Sequence, residues 1–165
     1  MEQLLHYVWK HKIFPLSALQ TTSGRPVEVI DPGLPNMNAG PDFFNAKLKI
    51  DGTLWVGNVE VHTQASEWLL HRHDCDKAYD TVILHVVGES NCDVYRTNGE
   101  LVPQMVLTCP DTVRLRYEEL RQTEIYPPCY SILASLPKLT VHSWLSALQV
   151  ERFEQKAHCL LYTSD

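Results

Sequence analysis

The chain has 165 residues, of which 44% are hydrophobic and 21% are charged; this composition is typical of one globular domain, or of one domain and part of a second. It excludes collagen-like, disordered and low-complexity chains. The net charge is -6, so no overall positive field attracts nucleic acid. Apolar runs fall far short of the roughly 20 residues that cross a bilayer, and the N-terminus lacks the features of a secretory signal. We therefore predict a cytoplasmic protein with no membrane partner.

The first part of the sequence predicts a helix followed by three strands. Residues 2–12 carry apolar side chains at helical spacing. A β-branched run at 27–30 lies between turn residues and predicts the first strand. Residues 40–62 predict a β-hairpin, because apolar and polar residues alternate in the first arm and an Asp-Gly pair supplies a turn. The second arm, 54–62, is apolar on both faces and predicts a strand that is covered on both sides.

The following residues predict a helix and a central strand. Ser66 is a good N-cap residue for a helix over 66–79. Residues 81–87 form the most continuous apolar run and predict a buried strand in the middle of the sheet. Further predicted elements are a weaker hairpin with arms at 92–96 and 101–108, a helix from residue 111 and a helix over 140–158.

The register of the hairpin decides which polar side chains share a face. A three-residue loop would pair Ile50 with Leu54 and place Asp42 opposite His62, so that Asp42, Glu60 and His62 lie on one face. A two-residue loop would shift the pairing by one residue and reverse every side chain. We favour the three-residue loop, because it places the apolar residues of both arms in one core layer.

Two carboxylates at adjacent strand ends on an apolar face are costly to bury as bare charges, and a divalent cation would offset that cost. Oxygen ligands favour Mg²⁺ or Mn²⁺, and phosphate is a natural substrate at such ions. We predict Asp42, Glu60 and His62 as the catalytic residues. The side chain of His62, two residues beyond Glu60, is expected to orient or deprotonate an attacking water.

The pattern Pro41-Asp42, seventeen residues and then Glu60-Val61-His62 resembles the PD-(D/E)xK nuclease superfamily, with histidine in place of the usual lysine. The resemblance implies that Asp42, Glu60 and the backbone carbonyl of Val61 bind the metal. An acidic residue of the first helix often joins such a site, and Glu2 is the candidate. The implied fold is an α/β three-layer sandwich with a mixed sheet and a restriction-endonuclease-like core, followed by C-terminal helices. The implied activity is hydrolysis of phosphodiesters in nucleic acid.

The segments GPDFFNAKLKIDG, WVGNVEVH, SEWLLHRHDCDKAY and VILHVV are together similar to a family of uncharacterised bacterial proteins with a domain of unknown function. This similarity covers about residues 2–108 and carries no established activity. Its members are longer than this chain. We therefore expect a missing C-terminal region of the same protein to be a partner of the part described here.

The domain boundaries follow from these patterns. We predict a nuclease-like core over residues 1–110 and a truncated helical extension over 111–158. The last seven residues, CLLYTSD, lack helical patterning, and their back-translation resembles a transposon adapter used in sequencing libraries. Residues 159–165 are therefore predicted to be a non-native tail.

Other interpretations of the polar residues stay open. His71 and His73 line the cleft as substrate contacts, form a polar network, or bind zinc together with His62 or His85. Asn58 is either a cleft residue or an ordinary amide with satisfied hydrogen bonds. Two alternative functions therefore stand beside the nuclease: an inactive nuclease-fold binding or scaffold domain, and a zinc-dependent hydrolase.

Overall fold

The computed structural model describes residues 2–14, 19–122, 132 and 135–162. The protein is a mixed α/β fold with one curled mixed sheet and helices. Its chain divides into two compact units, Met1–Tyr117 and Glu118–Asp165. All the candidate site residues predicted from the sequence lie in the first unit.

The helices and strands have the following bounds. The helices are α1 (Glu2–Lys10), α2 (Glu67–Leu70), α3 (Asp111–Gln122) and α4 (Lys138–Tyr162). The strands are β1 (Val27–Asp31), β2 (Leu34–Pro35), β3 (Phe43–Ile50), β4 (Thr53–Gln64), β5 (Val82–Glu89) and β6 (Gln104–Val106). Two 3-10 turns, His73–Cys75 and Lys77–Thr81, lie between α2 and β5.

The sheet has the order β1-β3-β4-β5-β6, with the short β2 beside β3. Neighbours are antiparallel from β1 to β4 and parallel from β4 to β6. This confirms the mixed sheet and the interior place of β5. The segment between β4 and β5 is therefore a crossover connection, which parallel neighbours require.

Helix α1 covers one face of the sheet because its apolar residues recur at helical spacing. Leu4, Leu5, Val8 and Trp9 are all buried in one cluster with Val59, Val61, Leu84 and Val86 of the central strands. Burial of these side chains supplies most of the stabilisation expected for this layer. A second, smaller cluster contains Trp68, Val82, Val94 and Val102.

The predicted hairpin register was wrong. Ile50 pairs with Thr53, so the loop is the two-residue turn of Asp51 and Gly52. The register then shifts between Phe43 and Ala46, where Asn45 has a φ of 55°. This bulge is an extra residue on one strand. It reverses the change of face that the one-residue slip causes, and it brings Phe43 opposite Val59.

The core layer predicted for β4 was also wrong in part. Leu54 and Val56 are each 58% exposed instead of joining the core. They precede Asn58, where the pairing with β5 begins, so only β3 flanks this part of the strand. Residues 59–62, which pair with β5, are buried. Gly57 marks the transition, because a Cβ there would lie 2.9 Å from the Thr81 carbonyl oxygen.

Three further predictions differ from the structure. The predicted helix over 66–79 is only one turn of α2 followed by two 3-10 turns, and the Ser66 side chain makes no capping bond. The hairpin with arms at 92–96 and 101–108 is reduced to a single bridge, Tyr95 to Leu101, while β6 pairs in parallel with β5. Helix α4 begins earlier and ends later than the predicted 140–158.

Polar and apolar side chains are mixed around the surface of the described part of helix α4. Of its residues 138–157, Val141 is half-buried and the others are exposed. None of the described helices is both long and apolar enough to cross a membrane.

Candidate metal centre

The carboxylates of Asp42 and Glu60 are held side by side by backbone amides. The backbone N–H of Asp42 donates to Glu60 Oε2 at 3.0 Å, and the backbone N–H of Val61 donates to Asp42 Oδ2 at 2.9 Å. Each carboxylate is thus fixed to the other's strand. The bulge at Asn45 makes this possible, because it places Asp42 level with Glu60 at the start of β3.

His6 of α1 lies against this pair. Its Nε2 is 3.2 Å from Asp42 Oδ2 and 3.9 Å from a Glu2 oxygen. Burial disfavours the charged imidazolium, but the Asp42 carboxylate beside it outweighs this and raises the pKa of His6. The corner formed by Asp42 therefore attracts positive charge.

Strand alternation sends the side chains of Glu60 and His62 to the face opposite α1. Val59 and Val61 lie in the core beneath α1, so Glu60 and His62 point to the other face of β4. His85, the cross-strand neighbour of Glu60 on β5, is fully buried there. The indole ring of Trp68 covers this face and lies 5.2 Å from the His85 ring.

A histidine cluster surrounds the second oxygen of Glu60. Glu60 Oε1 lies 3.5 Å from His62 Nε2 and 3.3 Å from His73 Nε2. His62 Nε2 lies 3.2 Å from His71 Nδ1. The three histidines offer nitrogen atoms that all lie within 4.8 Å of one another. Glu60 and the rings of His62 and His73 are each less than 10% exposed, whereas His71 is exposed.

The turn after α2 presents two of these histidines together. Arg72, between His71 and His73, has a φ of 62°, a left-handed conformation that non-glycine residues adopt mainly in tight turns. The His73 ring stacks on the His62 ring with centroids 5.4 Å apart, and on the Tyr79 ring at 3.6 Å. Burial raises the pKa of Tyr79 to about 12, so its hydroxyl stays neutral.

Behind the cluster, His62 and His85 form a buried pair. His62 Nδ1 and His85 Nε2 lie 2.8 Å apart. Burial, together with the neighbouring histidines, lowers the pKa of each to about 3. Both rings are therefore neutral at pH 7, and each has one nitrogen lone pair to offer to a proton donor or a metal.

The pKa of Glu60 shifts in the opposite direction to those of His62 and His85. Burial raises the pKa of its carboxyl group, and the Asp42 carboxylate contributes in the same direction, while His73 opposes it. A buried carboxylate of this kind gains from a cation at close range.

The structure thus brings together Asp42, Glu60, His62, His71 and His73, all of which were predicted as site residues. The Val61 backbone lies at the same corner, while Glu2 reaches it only through His6. Asn58 lies elsewhere: its side chain accepts from the Asn45 N–H and donates to Thr81 Oγ1, and it lines a groove with Trp55.

Sequence reasoning missed one member of the site and one contact within it. His6 was overlooked, although its position four residues after Glu2, beside the buried stripe of α1, was a signal. The contact of Glu60 with His73 was also missed, because it depends on a turn whose conformation the sequence did not reveal.

Comparison with known proteins gives a family but no activity. The profile of a family of proteins of unknown function, DUF2851, matches residues 2–164. The chain belongs to this family. No curated protein and no solved structure matches the chain.

Proposed function

We propose that this member of the DUF2851 family is a metal-dependent phosphodiesterase acting on nucleic acid. Asp42 and Glu60 bind a hard divalent cation, Mg²⁺ or Mn²⁺, and the backbone carbonyl of Val61 completes the protein's ligand set. The order α1, β1, β3, β4, α2, β5 supports a restriction-endonuclease-like core with helices on both faces of the sheet, as the resemblance to the PD-(D/E)xK superfamily implies.

The observation that carries this proposal is the reciprocal hydrogen bonding of the two carboxylates. Asp42 Oδ2 and Glu60 Oε2 each use one lone pair on a backbone N–H, which fixes their orientation and leaves their remaining lone pairs for a cation. Fixed carboxylates are the ligands that Mg²⁺ and Mn²⁺ prefer. The raised pKa values of His6 and Glu60 support a site that gains from added positive charge.

The chemistry assigned to the chain's own residues follows from their charges. A bound cation would polarise a phosphate oxygen and a water molecule. Asp42 and Glu60 would position that cation. His62 is neutral with a pKa of about 3, which makes it a weak base; it is better suited to orient the attacking water through its ring nitrogen. His6, beside Asp42, would make room for the cation or hold a phosphate oxygen.

The test is hydrolysis of plasmid DNA and structured RNA with Mn²⁺ or Mg²⁺ by the wild type, Asp42→Asn and Glu60→Gln. We expect each substitution to lower turnover at least about 100-fold, because one charged ligand is lost. Both amides can still accept the backbone N–H bonds, so the melting temperature of the metal-free protein should be equal to or above that of the wild type.

The matched control is Glu28→Gln, which removes an exposed carboxylate of β1 that contacts Lys49. Its turnover should equal that of the wild type. Unchanged cleavage by Asp42→Asn and Glu60→Gln, with unchanged melting, would reject the assigned roles.

A non-catalytic binding domain is the second candidate, and one observation favours it. Leu54, Trp55 and Val56 are consecutive apolar residues of β4 and are each about half exposed, as is common where another chain docks. This candidate predicts that the folded wild type neither binds Mn²⁺ nor cleaves nucleic acid.

A further inference from the structure

We propose that Glu60, His62, His71 and His73 form a tetrahedral site for a transition-metal ion of the Zn²⁺ class. This inference goes beyond the proposed function. It shares Glu60 and His62 with the proposed hydrolytic site, but it holds or fails on zinc binding alone.

The spacing of the ligand atoms supports the tetrahedral geometry. Zinc binds imidazole nitrogen and carboxylate oxygen at about 2.0–2.2 Å, so two ligands of a tetrahedron lie about 3.3–3.5 Å apart. Glu60 Oε1 is 3.5 Å from His62 Nε2 and 3.3 Å from His73 Nε2. His62 Nε2 is 3.2 Å from His71 Nδ1. Two of the six edges of the tetrahedron therefore already have the required length, and the His62–His71 edge is about 0.1 Å shorter.

The other ligand spacings need small movements. The three histidine nitrogens lie within 4.8 Å of one another, a limit wider than the spacing of a zinc tetrahedron. His71 is exposed and lies just after the end of α2, so its side chain can move without rearrangement of the buried core. His62 and His73 are buried, so a change in the distance between them requires a movement of those two rings.

A buried nitrogen without a hydrogen-bond partner is a second observation that supports the site. His73 Nε2 has no hydrogen-bond partner although its residue is only 7% exposed. It lies 3.3 Å from Glu60 Oε1 without the alignment of a hydrogen bond. A buried polar atom without a partner is costly. A metal ion between His73 and Glu60 would satisfy both atoms.

One contact behind the site suits the proton positions that zinc requires. Zinc on His62 Nε2 leaves the proton on His62 Nδ1, which can donate to His85 Nε2 at 2.8 Å. Ligand histidines in proteins usually donate their other ring nitrogen to a nearby acceptor in this way. His85 thus serves as a positioning residue that orients His62. The His85 proton then lies on Nδ1, which is buried and has no hydrogen-bond partner.

The donor set selects the class of metal. Three imidazoles and one carboxylate suit Zn²⁺, whereas Mg²⁺ prefers six oxygen ligands and retains water. Glu60 presents Oε1 to the histidines and Oε2 to the Asp42 amide, so its two oxygens face different partners. Zinc on His62 Nε2 excludes the water-orienting role that the proposed function gives to this ring, so zinc binding would also count against that role.

The test uses the full chain, stripped of metal with a chelator and dialysed. Zn²⁺ is titrated in competition with a chromophoric chelator, for the wild type, His71→Ala and His73→Ala. We expect one zinc per chain with a Kd below about 1 µM, weakened at least about tenfold by either substitution. Addition of Co²⁺ should give the intense visible absorption of tetrahedral coordination.

The matched control is His11→Ala, which removes an exposed histidine after α1 and should bind zinc as the wild type does. His71→Ala keeps the experiment decisive if the buried His73 variant fails to fold. The proposal is overturned if the wild type does not bind zinc, if both variants bind it with unchanged affinity, or if Co²⁺ gives only the weak bands of octahedral coordination.

The failures of the two proposals are distinguishable. Zinc binding that His71→Ala removes, without any cleavage of nucleic acid, would support this site and count against the nuclease. Mn²⁺ binding that Asp42→Asn removes, without zinc binding, would overturn this site only.

Discussion

At the scale of single residues, the neutral pair of His62 and His85 should make the metal-free protein sensitive to acid. The pKa of each is lowered from 6.5 to about 3 in the folded chain. The unfolded chain therefore binds more protons between these values, so stability is full above about pH 6.5 and falls as the pH decreases toward 3. Because the two rings are in contact, we expect the first proton that the pair takes up to cost on the order of 1 kcal/mol at pH 5.5.

We accordingly predict a lower melting temperature for the metal-free wild type at pH 5.5 than at pH 7.5. His6 opposes this trend, because its raised pKa gives stability that is present at low pH and lost as the pH rises. The two large shifts should outweigh it. The measurement is thermal unfolding across this range for the wild type, His85→Gln and the exposed His11→Ala. We expect the melting temperature to fall less steeply with decreasing pH in His85→Gln than in the other two proteins. The same dependence on pH in all three would contradict the assignment of this effect to the buried histidine pair.

At the scale of the element, Asn45 determines where Asp42 lies. Its φ of 55° creates the bulge, which reverses the change of face that the two-residue turn causes for Asp42. A left-handed conformation costs a β-branched residue about 1–2 kcal/mol, and glycine adopts it without strain. We predict that Asn45→Val lowers the free energy of unfolding by about that amount, while Asn45→Gly leaves it nearly unchanged.

Urea unfolding of both variants checks this prediction, and Mn²⁺ titration reports on the position of Asp42. We expect weaker Mn²⁺ binding in Asn45→Val than in Asn45→Gly. Equal stability and equal binding of the two variants would show that the bulge does not position the site.

The limits of prediction from the sequence follow from these elements. The strands β1, β3, β4 and β5 were predicted because alternation and β-branched runs are local signals. The bulge was missed, because the side-chain alternation of β3 on its own does not reveal an extra residue. The helix over 66–79 was wrong, because Trp68 and His73 are fixed by contacts with β4 and β5 that are distant in sequence.

The residues of the candidate site were named from the sequence, but not their arrangement. The Asp42, Glu60 and His62 set followed from the predicted hairpin, whose register was wrong. The two histidines of the 71–73 turn were predicted as substrate contacts, as a polar network or as zinc ligands. The contact of these histidines with the Glu60 site depends on the fold of the crossover between β4 and β5. No local pattern in the sequence predicted that fold.

At the scale of the whole molecule, zinc should stabilise the folded chain. A ligand that binds only the folded state adds about 2.7 kcal/mol to the free energy of unfolding at 100 times its Kd. We predict a higher melting temperature for the wild type with zinc than without it. A tenfold weaker binding in His71→Ala should reduce this rise to about half or less. Scanning calorimetry at pH 7.5 measures this. A rise of the same size in both proteins would place the zinc elsewhere.

The crossover between β4 and β5 has a consequence for the order of folding. His62 precedes it, His71 and His73 lie within it, and His85 follows it. The contact of His62 with His85 can therefore form only when β4 pairs with β5, and such pairs form late because they join segments distant in the chain. Contacts made after the transition state slow unfolding more than they speed folding. The contact of His62 with His85 would therefore lengthen the lifetime of the folded protein more than it changes the rate of folding.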